Sequence, residues 1–252
     1  VHGNHPEALR DLVVAWLSRY PLAPLEDEIF LVHSNGIAQW LRLALAEDEG
    51  GCGIAAGLDM SLPSRFLWQA YRAVLGRDAV PESSPFDKEK LVWRLMRLMP
   101  ELLVNDVYAP LARFLARDEE QRKRFQLAER LADLFDQYQV YRADWLDAWA
   151  SGEDVLIRAS GAKDPLAEDQ RWQACLWRAL LADVARGGEG LASQGRAAVH
   201  EAFLERCRNF PEGGRPVGLP RRLIVFGLSA LPRQSLEALA AIARWTQVLM
   251  CV

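Results

Sequence analysis

The chain has 252 residues, half of them hydrophobic and a quarter charged, an ordinary globular composition with room for one large domain or two modest ones. Thirty basic residues stand against 34 acidic ones, a formal net charge of −4. That excludes a globally basic nucleic-acid binder, so any such contact has to come from a local patch. Cys52, Cys175, Cys207 and Cys251 form no CxxC pair, and His2, His5, His33 and His200 fall at no metal-ligand spacing. Reduced thiols, a cytoplasmic protein and no bound metal or other cofactor are the expectation.

From Pro6 to Tyr20 the apolar positions Leu9, Leu12, Val13, Trp16 and Leu17 recur at helical spacing. Next comes EIFLVHSNGIAQWLRLALAE, residues 28–47. It holds an apolar run (Ile29–Val32), a polar turn (His33–Gly36), and a helix-period pattern through Ile37, Trp40, Leu41, Ala44 and Leu45. Strand, small-residue turn and helix are the setting of a phosphate-binding loop. The chemistry of that loop is missing. Gly36 is its one glycine, Gly36-Ile37-Ala38-Gln39 replaces the Gly-Lys-Ser/Thr tail, and Arg42 is the first basic residue. A helix N-terminus topped by His33, Asn35 and Gln39 suits a polar ligand and does not suit ATP.

The Gly-rich connection EGGCGIAAGLDMSLP carries at most a short strand around Ile54. Pro63 opens a helix with Phe66, Leu67, Ala70, Tyr71 and Val74 on one face. From about Pro85 to Gly213 strand patterns vanish, and amphipathic helices follow near 87–99, 107–117, 119–141, 166–186 and 196–209. The α/β rhythm then returns: RLIVFGL reads as a buried strand, LPRQSLEALAAIARW as a helix, and TQVLMCV as a strand. Strands at 28–32 and 222–226 are expected to be neighbours in one parallel sheet with helices on both faces. No run is apolar and long enough to span a bilayer. The start at Val1 and the stop inside a strand-like run read as a fragment.

In RLIVFGLSALPRQSLEAL the strand Leu223–Phe226 ends on Gly227-Leu228. An ATPase places there the carboxylates that hold magnesium and polarise water. Both nucleotide motifs thus keep their scaffold and lose their chemistry, on either side of a helical stretch.

That order resembles the first motor domain (1A) of a superfamily 1 helicase with its inserted 1B domain. The words LVHSNGIAQWL, GIAAGLDMSLPSRFLW, FQLAERLADLFDQYQVYRADWL, RWQACLWRALL and GLSALP resemble the N-terminal part of the RecC family, the gamma chains of exodeoxyribonuclease V. The resemblance runs along nearly the whole chain and covers about the N-terminal quarter of that family's length. It implies an α/β fold, a degenerate P-loop NTPase-like domain 1A with a mostly helical 1B-like insertion. The boundaries expected are 1–85, 86–215 and 216–252. It also implies a non-catalytic subunit acting beside RecB-like and RecD-like partners. Such a subunit helps to split forked DNA, channels the 3′-ended single strand and scans it for the Chi hotspot during break repair.

The positions that match the family's scanning surface are His33, Asn35 and Gln39 on the loop, and Leu62 and Trp68 around the next helix. Asp133, Leu134, Asp136, Gln137 and Arg142 in the insertion also match, with Arg196 as a looser fit. His33 and Asn35 depart from the Gln and Thr expected there. Asp accepts from base amino groups, Arg donates to guanine, Asn and Gln do both, and an aromatic such as Trp68 can stack on a base.

Read by spacing alone, Leu127, Leu131, Leu134, Tyr138 and Tyr141 are a core stripe, and Glu129, Asp133 and Asp136 are a solvated acidic face. Trp40, Trp93, Trp145, Trp149, Trp172 and Trp177 read as core. The basic runs 121–125 and 220–222 read as solvated or as phosphate contacts. A protein–protein scaffold and an ATPase with an atypical loop are the alternative functions.

Overall fold

A computed structural model describes residues 1–117, 121–188, 190–191 and 195–252. Along the chain run α1 (Pro6–Arg19), β1 (Glu28–Val32), α2 (Asn35–Ala46), β2 (Leu58–Ser61), α3 (Pro63–Leu75), α4 (Lys88–Leu102), α5 (Ala109–Leu115) and α6 (Arg122–Tyr141). Then follow α7 (Ala143–Ala150), β3 (Val155–Ile157), β4 (Lys163–Pro165), α8 (Arg171–Arg186), α9 (Arg196–Arg208), β5 (Arg222–Phe226), α10 (Arg233–Ile242) and β6 (Gln247–Cys251). The chain divides into two compact units, Val1–Gly76 with Phe203–Val252, and Arg77–Ala202.

The first unit carries a four-stranded parallel sheet in the order β2-β1-β5-β6. As expected, strands 28–32 and 222–226 are neighbours, with Ile29 opposite Leu223 and Val32 opposite Phe226. All five residues of β5 are buried, the near-continuous apolar run of a strand covered on both faces. Phe30, Val32, Ile224 and Phe226 face Leu9, Val13, Leu41 and Leu45 of α1 and α2. Alternation turns Ile29, Leu31, Leu223 and Val225 to the opposite face, where α3 meets β1 and α10. At the start of β5, buried Arg222 grips Glu28 through both carboxylate oxygens and donates to the Tyr20 carbonyl at 2.8 Å. Arg221 pairs with Glu26. Arg222 is therefore a structural clasp, which corrects its reading as solvated or as a phosphate contact, while Arg221 stays largely exposed.

In the second unit, Leu91, Leu95 and Met99 of α4, Leu131 and Phe135 of α6, Trp149 of α7 and Trp177 and Leu180 of α8 form one core. The Phe135 and Trp177 rings stack at 5.6 Å. Asp183 on α8 is 5% exposed in its side chain and receives Arg94 at 2.9 Å and Arg97 at 2.6 Å.

Several expectations need correction. The stretch taken as purely helical holds an antiparallel hairpin, β3–β4, whose three-residue strands are too short to show a period. It also holds α7, which the sequence left unassigned. The short strand expected near Ile54 lies at Leu58–Ser61, and Ile54 itself is 68% exposed. The helices expected at 107–117 and 166–186 each begin with a 3-10 turn, at Asp106–Tyr108 and Glu168–Gln170. The helix expected from 119 starts at Arg122, and residues 119–120 lie outside the described residues. The core stripe of α6 is Ala128, Leu131, Ala132, Phe135 and Gln139, so Tyr141 faces solvent. Trp93 is 66% exposed, beside Phe125, rather than in the core. Among the described residues no helix is long and apolar enough to cross a membrane.

Candidate nucleic-acid interface

In a parallel sheet, side chains at the carboxyl ends of the strands face the crevice where ligands bind. At the end of β1, Ser34 caps α2 by accepting from the Ile37 N–H at 3.3 Å. Ahead of that cap His33 is exposed on the turn, and Asn35 and Gln39 are exposed in the first turns of α2. β2 runs parallel to β1 with Leu31 opposite Ser61, so Leu62 emerges at the same edge, 39% exposed at the N-cap of α3. Beside them, β5 ends on Gly227 at φ +67, whose N–H donates to the Cys251 carbonyl at 2.8 Å. A left-handed backbone suits glycine there and disfavours the Asp of an ATPase strand. Trp68 does not join this edge. It is buried on α3 and packs at 6.2 Å against Tyr71, so its ring is not free to stack on a base, and that expectation is withdrawn.

The helical unit gathers a second set. Asp133 pairs with Lys88 at 2.7 Å and accepts from Gln137 Nε2 at 3.2 Å. The Lys88 ammonium holds the Asp133 carboxyl below its ordinary pKa. Asp136 lies 3.3 Å from Arg196, whose guanidinium also reaches Asp87 at 2.7 Å. Burial pushes the Asp136 carboxyl up, with Arg196 opposing and Asp87 adding to the rise. Asp87 is the N-cap residue of α4 but makes no capping bond, because its carboxylate is turned to Arg196.

Asp133, Asp136, Gln137 and Arg196 thus form one cluster. Leu134 is half-buried. Arg142 stands apart from the cluster's bonds. It donates to both oxygens of Asp144 at 3.1 and 2.9 Å and to the Ile157 carbonyl, and lies 3.7 Å over the Trp145 ring. Those bonds tie the start of α7 to β3. Sequence reasoning missed Asp87 and Lys88 as members of the cluster. Lys88 is 45 residues from its partner Asp133, and no local periodicity signals a pair at that separation.

Sheet, polar strand-end turn and charged helical cluster define an α/β protein with a parallel four-stranded sheet and a largely helical second unit. Its chemistry at the strand ends is polar and lacks the Lys and carboxylates of a nucleotide site. The chain belongs to the RecC family: the model for the RecC N-terminal domain matches residues 1–252. It is 38% identical over 248 residues to the RecBCD enzyme subunit RecC of Escherichia coli (strain K12), covering 98% of this chain and 21% of that protein. The same subunit of Haemophilus influenzae is 38% identical over 255 residues, covering 96% and 22%. That of Mycolicibacterium smegmatis is 26% identical over 248 residues, covering 96% and 20%. The chain therefore spans about a fifth of the length of these curated relatives.

Proposed function

We propose that this chain is the N-terminal part of a non-catalytic DNA-handling subunit in a RecBCD-type helicase–nuclease. In that role it works beside RecB-like and RecD-like subunits in recombination and break repair, channels the 3′-ended strand and reads the Chi hotspot. Family membership and the relatives' name, RecBCD enzyme subunit RecC, support the assembly. The sheet-bearing unit is read as 1A-like and the helical unit as its 1B-like insertion.

The observation that carries the reading is a substitution of chemistry. His33 on the turn and Asn35 and Gln39 at the start of α2 stand where a nucleotide loop and its helix would hold phosphates, and Gly227-Leu228 stands where carboxylates would hold magnesium. Side chains that donate and accept hydrogen bonds replace groups that bind phosphate or activate water. Such side chains read exposed base edges. Asp133, Asp136 and Gln137 offer the same chemistry on α6.

The test is photocrosslinking in the assembled complex, with the full-length subunit carrying a benzophenone side chain in place of Gln39 or Gln137. On a forked duplex, crosslinks to the 3′-ended strand from both positions are expected. Crosslinks only to partner subunits would leave a scaffold and contradict a DNA channel.

A further inference from the structure

We propose that the helical unit holds a pocket for one nucleobase of a single strand, in the hollow beside Asp133. This inference rests on the DNA-channel reading above. The hollow, about 630 Å³, is lined by Lys88, Phe114, Gln126, Leu127, Glu129, Arg130 and Asp133. That volume lies within the range of small-ligand pockets.

The walls supply what a base needs. Phe114 on α5 is 55% exposed, a large apolar ring left in solvent, and an aromatic face of this kind stacks on any base. Gln126, Glu129 and Arg130 make no side-chain hydrogen bond or ion pair among the described residues. An amide, a carboxylate and a guanidinium are thus available to the donor and acceptor edges of a base. The Lys88 ammonium, held by Asp133 at 2.7 Å, keeps donors for a backbone phosphate.

Charge selects the class of ligand. Lys88 and Arg130 balance Glu129 and Asp133, so the walls do not select a free polyanion. They suit a neutral ring with mixed edges, with its phosphate at the rim. Position points the same way. Gln126, Arg130, Asp133 and Gln137 recur at i, i+4, i+7 and i+11 on α6. That spacing forms one row about 16 Å long. The pocket is the far end of the row that carries the cluster of Asp133 and Gln137, so one strand laid along α6 meets both.

The experiment uses the assembled complex with the full-length subunit and an oligothymidylate in which 5-iodouracil replaces single thymines. Crosslinks are expected to map to peptides containing Phe114 and Gln126. Phe114→Ala should weaken single-strand binding about tenfold, the scale of one lost stacking contact, and Phe114→Tyr should restore it because the ring remains. Gln126→Ala, at an exposed position, should lower the crosslink yield without loss of assembly. Wild-type affinity in Phe114→Ala, or equal loss in the Ala and Tyr variants, would overturn the pocket. Crosslinks at Asp136 and Gln137 but none at Phe114 would overturn the pocket alone. Crosslinks at neither would overturn the DNA-channel reading with it.

Discussion

Arg142→Ala should destabilise the helical unit, and hotspot response should fall only together with folding. The guanidinium makes a two-pronged bond to Asp144, a bond to the Ile157 carbonyl and a cation–π contact with Trp145. Its side chain is 31% exposed and that of Asp144 is 41% exposed, so solvent screening limits the ion pair to about 0.5–1 kcal/mol. The cation–π contact adds about 0.5–1 kcal/mol. The carbonyl bond adds little more than about 1 kcal/mol, because Trp145 Nε1 also donates to Ile157 at 3.0 Å and remains when Arg142 is gone. The sum is about 2–3 kcal/mol, roughly 4–12 °C in Tm for a protein of this size. Thermal melts of wild type, Arg142→Ala and Arg142→Lys measure it. The Lys variant should fall between the other two, because it keeps the charge and loses the fork. An Arg142→Ala chain that melts like wild type while its complex ignores the hotspot would refute the reasoning and return Arg142 to the reading surface.

Arg222→Ala should cost about 3–5 kcal/mol by stranding Glu28 in a half-dry site, and the double variant with Glu28→Gln should recover part of that in urea unfolding. Asp183 sets an acid limit: burial pushes its carboxyl up, but Arg97 and Arg94 more than offset this and hold it below the ordinary value. A folded-state pKa below the unfolded one stabilises fully above about pH 4 and is lost as pH falls through the lowered value. The urea midpoint should therefore drop as pH falls below about 4, with less pH dependence in Asp183→Asn. Titration with ATP and magnesium should give no magnesium-dependent binding, because Gly36-Ile37-Ala38 and Gly227-Leu228 supply neither cation nor carboxylate. A stoichiometric complex in calorimetry would contradict that.

The sheet was legible because β1 and β5 are short apolar runs bounded by turns, and a parallel pair of that kind needs a long crossover. The hairpin was not, since three residues per strand carry no period. Local pattern also could not separate Trp93 from Trp149: both sit on amphipathic helices, and only the packing of neighbouring helices decides that Trp149 is enclosed. The site was legible in part. Polar residues in place of a nucleotide loop stand out in sequence, as His33, Asn35 and Gln39 do. Trp68 could not be judged that way, because burial against Tyr71 depends on which face of α3 meets the sheet. Lys88 and Asp87 were invisible because their partners lie 45 and 109 residues away.

The most direct test of the account is strand-product mapping by the assembled complex carrying Asp136→Ala, on DNA with and without the hotspot. Arg196 keeps its bond to Asp87 in this variant, so the cluster loses one carboxylate and retains its brace. One good base contact carries about 1–3 kcal/mol of discrimination, whereas phosphate contacts hold the strand. Near-normal unwinding with the hotspot-dependent product lost or strongly reduced is the expected result. Full hotspot response in a variant that unwinds normally would contradict it.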